Sequence, residues 1–145
     1  MKRSPKGASI DLAAILHAAH AAEDEVESKL NGIGLSLAKL LALQALADAN
    51  ESLPLTQLAE RLSCVKSNIT QLVDRLEADG LVTREPDPHD RRTKLAALTA
   101  AGRRTCEEGT RMQEETERRL LGRLTANEGR QLAALLAKIA TTRAR

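Results

Sequence analysis

The sequence predicts a mainly α fold that carries a single two-stranded β hairpin. Three observations lead there. Apolar residues recur at helical spacing along most of the chain, capping hydroxyls (Ser36, Thr99, Thr125) precede such runs, and only the stretch from Leu81 to Leu98, split by "EPDPHD", reads as paired strands. At 145 residues the chain is the size of one ordinary domain, 1–145, able to bury a core without disulfides or metals.

Taken in order, Leu12, Ile15, Leu16, Ala19, Ala22 and Val26 share one face of a long amphipathic helix from Ile10 to about Leu30, which "NGIG" interrupts. Ser36 caps a second helix, "LAKLLALQALADA", apolar on most sides and therefore central to the core. Thr56 is the expected cap of a short helix, "QLAERLS". After a turn near Ser63 and Cys64 a further helix places Ile69, Leu72, Val73 and Leu76 on its buried face, with Gly80 just past its end, where a left-handed residue is expected. "LVTRE" and "TKLAAL" are two short strands joined by a proline-rich tip. Thr99 caps a long polar helix, and Thr125 with Glu128 makes a capping box that opens a last helix, striped by Leu132, Leu135, Leu136 and Ile139.

Composition narrows the function classes. The formal net charge of +2 means that affinity for a polyanion would come from where charge is placed, not from bulk excess. Phe, Trp and Tyr are absent, which disfavours the base-stacking mode of single-strand binders. Cys64 and Cys106 form no CxxC pair and suit a reducing cytoplasm. Asp11, His17 and His20 interrupt the apolar N-terminal run, so it reads as a mature helix and not as a secretory leader, and no stretch approaches a membrane span. The chain holds no nucleophile elbow, no phosphate-cradling glycine loop and no HExxH, so no catalysis and no cofactor are expected.

Two short helices joined by a tight turn match a helix-turn-helix, whose second helix enters the major groove of double-stranded DNA. Its outward residues Lys66, Ser67, Asn68, Thr70, Gln71 and Arg75 are hydrogen-bonding side chains suited to base edges and phosphates. Such residues also line ordinary solvent-facing helices, but a hairpin follows directly. Its proline-rich tip must stand in solvent, and Arg91 and Arg92 there suit the minor groove next door. Basic residues barely outnumber acidic ones between Arg61 and Lys94, so their position carries the case.

The segment "LTQLAERLSCVKSNITQLVDRLEADGLVTREPDPHDRRTKLAALTAAGR", Leu55 to Arg104, resembles the winged helix-turn-helix of the MarR family of transcription regulators. Most specific are "DRLEADGLV" and the wing pattern Asp-x-Arg followed, after five residues, by Leu-Thr: Asp90, Arg92, Leu98 and Thr99. The resemblance implies that Arg92 enters the minor groove with Arg91 beside it, and that Asp90 braces the wing. It implies a winged helix-turn-helix DNA-binding lobe at 35–98 between dimerisation helices at 8–34 and 99–145, an obligate homodimer, a palindromic operator, repression, and often a small effector in the crevice between the dimer helices and the DNA-binding lobe. With no aromatic ring to line that crevice, a stacking ligand is disfavoured.

Two other functions stay open at this level. A winged helix can serve as a protein-interaction module, although Asn68, Gln71, Arg91 and Arg92 are not the anchors such a surface favours. Cys64, near the start of the recognition helix, could make a thiol switch, while a half-buried filler is the plainer role. His17 and His20, one turn apart, are a weak metal pair, and His89 on the wing could tune DNA affinity with pH.

Overall fold

The computed structural model describes residues 9–63 and 68–141. Asp11 opens α1 (Leu12–Leu30), its carboxylate accepting the Ala14 N–H at 2.8 Å. A 3-10 turn, Asn31–Ile33, and left-handed Gly34 reverse the chain into α2 (Leu37–Ala49), capped by Ser36. Glu27 reaches from α1 to accept the Leu37 N–H at 2.7 Å, so the second helix has two acceptors at its start.

α2 is the axis of the core. Leu40, Ala42, Leu43 and Leu46 are buried, and around them close Val26 and Leu30 of α1, Leu58 of α3 (Leu55–Arg61), Leu72, Val73 and Leu76 of α4 (Ile69–Ala78), and Cys106 of α5 (Ala100–Leu121). Ile69, expected among the buried residues of α4, is partly buried against this cluster.

The sheet is larger than the sequence suggests. A two-residue strand, β1 (Leu53–Pro54), joins β2 (Val82–Asp87) and β3 (Asp90–Leu98) in the order β1-β3-β2. It escapes periodicity analysis because two residues have no period, and Pro54 is tolerated because β1 is an edge strand. This strand also displaces the expected cap. Thr56 lies inside α3, and the N-cap position belongs to Pro54, which supplies no side-chain acceptor.

Gly80 (φ 75°) ends α4 with a Schellman pair: its own N–H reaches Glu77 O and the Leu81 N–H reaches Leu76 O. The Thr99 hydroxyl donates to Gly80 O at 2.7 Å and accepts the Gly102 N–H at 2.9 Å, which joins the end of α4 to the start of α5. α6 (Ala126–Ala140) opens with the Thr125–Glu128 capping box and buries no residue. Leu132, Leu135, Leu136 and Ile139 of α6, Leu121 of α5, Leu12 and Leu16 at the start of α1, and Ile10 just before it are all exposed, most by about half or more. Among the described residues no single helix is long and apolar enough to cross a membrane.

Candidate nucleic-acid interface

The outward face of α4 carries Thr70, Gln71 and Arg75, all exposed. Asn68 is exposed at the N-cap, and its Oδ1 accepts the N–H groups of Thr70 (3.1 Å) and Gln71 (3.3 Å). That commitment alters what Asn68 can offer. Two-point pairing with adenine needs both amide atoms, and here only Nδ2 is free to donate. Lys66, Ser67 and Cys64 lie outside the described residues.

The wing departs from the expected proline-rich loop. β2 and β3 run almost to the end, so Pro86 belongs to β2, and Asp90, Arg91 and Arg92 belong to β3. Asp87 pairs with Asp90 across Pro88 and His89. The next pair is Pro86 with Lys94, so one step along β2 is matched by four along β3, and Arg91, Arg92 and Thr93 bulge from the ladder. Asp90 holds that bulge: its carboxylate accepts the Arg92 N–H and the Thr93 hydroxyl, both at 3.0 Å. Asp87 accepts the His89 N–H at 2.8 Å in the same manner. Arg91 and Arg92 are exposed, and among the described residues neither they nor Arg75 has an ion-pair partner.

The acidic residues of α4 are partnered. Arg84 of β2 meets Asp74 Oδ1 at 2.6 Å and Glu77 Oε1 at 3.1 Å, and its backbone N–H donates to Glu77 Oε2 at 3.1 Å. Hydrogen bonding from Arg84 lowers the Glu77 carboxyl below its usual range, and the same contact raises the Arg84 guanidinium. Lys39 of α2 meets Asp79 at 2.8 Å. In the sequence Arg84 is one basic residue among several between Arg61 and Lys94, and no motif marks Lys39. The available signal was the spacing of Asp74 and Glu77, three apart and hence on one side of the helix, toward the strand that follows.

An open cleft of about 610 Å³ lies between α2 and α5, lined in part by Gln44, Asp48, Cys106, Glu107, Thr110 and Arg111. Gln44 Nε2 donates to Thr110 Oγ1 at 3.0 Å and to Gln113 Oε1 at 2.8 Å. Burial pushes the Cys106 thiol up, away from the reactive thiolate. His17 and His20 are exposed, and no three potential metal ligands gather among the described residues.

A helix-turn-helix followed by an arginine-bearing β wing, set between long helices with bare apolar faces, defines the winged helix-turn-helix class of transcription regulators. The chain belongs to the MarR family, whose model matches residues 33–93. It is 34% identical over 84 residues to the uncharacterized HTH-type transcriptional regulator YkoM of Bacillus subtilis, a match covering 58% of this chain and 54% of that protein. The chain thus spans about half the length of that relative, and 64% of a second one, YdgJ of the same organism. Among solved structures, the transcriptional repressor CouR bound to a 23-mer DNA duplex superposes with a TM-score of 0.81 at 27% identity, covering 97% of this chain and 99% of that one. BpsR of Bordetella bronchiseptica, solved for the regulation of its DNA binding by 6-hydroxynicotinic acid, gives 0.81 at 25%, covering 94% and 98%. The family and these relatives are regulators, not enzymes.

Proposed function

We propose that this chain is a sequence-specific double-stranded-DNA-binding regulator, a cytoplasmic homodimeric repressor that occupies a palindromic operator and is released by a small-molecule effector. One observation carries the DNA-binding part. Gln71, Thr70 and Arg75 on α4 and the Asp90-held Arg91 and Arg92 on β3 are exposed on one lobe, while Arg84 and Lys39 neutralise the carboxylates of the same helix. α4 then serves the major groove and the wing the minor groove beside it. Lys66 and Ser67, which precede Asn68 in the sequence, complete the proposed set.

The exposed apolar residues of α1, α5 and α6, too many to leave in water on a single subunit, support homodimerisation. A twofold dimer sets two copies of α4 about one DNA turn apart. The cleft between α2 and α5 is the candidate effector site, and its lining, which has hydrogen-bonding groups on Gln44, Thr110 and Arg111 but no aromatic ring, suits a hydrogen-bonding ligand better than a stacking one. CouR on its duplex supports repression by occupancy, and BpsR supports effector control.

The test is retention of sheared source DNA by the purified protein, with sequencing of the retained fragments and a salt titration on the best. A short inverted repeat near a promoter, with affinity falling steeply as salt rises, is the expected result. Failure to retain any DNA at low salt under reducing conditions would overturn it in favour of a protein-interaction module.

A further inference from the structure

The wing is useful to DNA only if Arg92 and α4 meet the duplex at the same time, so something must set the angle between hairpin and helix. At the base of the wing, a single residue of β2 engages both carboxylates on the adjoining side of α4. Arg84 takes Asp74 Oδ1 and Glu77 Oε1 with its guanidinium and Glu77 Oε2 with its backbone N–H. The last of these bonds matters most for direction. β2 is an outer strand of the sheet, and Glu77 gives the Arg84 N–H the acceptor that a neighbouring strand would have supplied.

We infer that Arg84 is a positioning residue: with Asp74 and Glu77 it fixes the wing to the recognition helix, so that Arg92 reaches DNA in register with Gln71. This rests on the DNA-binding role proposed above. The leverage is geometric. From Arg84 to the Asp87 turn β2 extends about 10 Å, so a swing of about 10° at the base shifts the wing tip by about 2 Å, enough to break a groove contact. The apolar contacts of Leu81 and Val82 beneath are non-directional and hold the strand down without setting its angle.

The sign of one substitution separates this role from ordinary electrostatics. Asp74→Ala with Glu77→Ala removes two negative charges from the DNA-facing lobe, and charge alone would tighten binding. Positioning requires the opposite. Both side chains are about half exposed, so the variant keeps its core.

Measured by fluorescence anisotropy on the selected operator, the double variant should bind about tenfold more weakly, and the same change made on Arg92→Ala should cost less than about twofold, since the wing contact it serves is already gone. Arg84→Gln should weaken binding with the salt slope unchanged, whereas loss of a phosphate contact would lower that slope by about one. Backbone order parameters at His89, Arg91 and Arg92 should fall in both variants without any DNA present. Tighter binding by the double variant, additive costs with Arg92→Ala, or unchanged wing order parameters would each overturn the inference. If the natural chain retained no DNA while the wing still loosened, the positioning by Arg84 would stand and the DNA-binding role would fall.

Discussion

Asn68 shows how a capping duty limits a recognition duty. With Oδ1 given to the Thr70 and Gln71 N–H groups, replacing it with Ala removes the cap and costs about 1 kcal/mol of stability, visible as a lower urea midpoint. Gln71→Ala has no such cost, because the side chain is exposed and caps nothing. Its effect should fall on DNA alone, about 1–3 kcal/mol at particular base pairs, checked by titrating a set of single-base operator variants. Arg92→Ala should weaken binding to every operator variant and lower the salt slope by about one, with the unfolding curve unchanged. The sequence names these residues by their types and positions on the helix and the wing. It does not reveal the division of labour between Asn68 and Gln71, because a capping bond depends on the exact residue at which the helix starts.

At the scale of elements, α5 is locked by its glycines. A Cβ on Gly102 would press into the Leu81 carbonyl, and one on Gly109 would lie 2.8 Å from a Leu40 methyl and 2.9 Å from a Leu35 methyl. Gly102→Ala should therefore destabilise the fold by roughly 1–3 kcal/mol through overpacking, although alanine is the better helix former by about 1 kcal/mol. Thermal unfolding decides between the two signs.

The tie between β2 and α4 has its own pH signature. Arg84 lowers the Glu77 carboxyl below the value it has in the unfolded chain, so this contribution is complete above that unfolded value and is lost as pH falls through the lower, folded one. Wing order, followed by NMR from neutral to acid conditions, should hold down to the ordinary carboxylate range and fall below it. The helices were legible because their caps and apolar faces are local features: Ser36, Thr99, Thr125 and Gly80 each stand where the backbone needs them. β1 was not, because Leu53 and Pro54 become a strand only through pairing with Ala96 and Leu95, some forty residues away. The bulge at Arg91–Thr93 was hidden for a related reason, since a register shift exists only between two strands.

For the whole molecule, the bare faces of α1 and α6 predict a chain that is not stable alone. Leu135→Glu with Leu136→Glu should convert a dimer to a monomer in light scattering, with a lower unfolding temperature that no longer depends on protein concentration. The apolar stripe of α6 is visible in the sequence. That the helix buries nothing against its own subunit was not, because periodicity says that a face is apolar and leaves open what covers it.

α5 spans 22 residues, about 33 Å of continuous helix from the Thr99 junction beneath the wing to Leu121 beside the exposed apolar face. A genetic selection would meet two separate sets of alleles along this rod. Under the proposed dimeric reading, operators with altered bases would select changes in α4, whereas operators with an altered gap between half-sites would select changes at the far end, in α6 and at the start of α1.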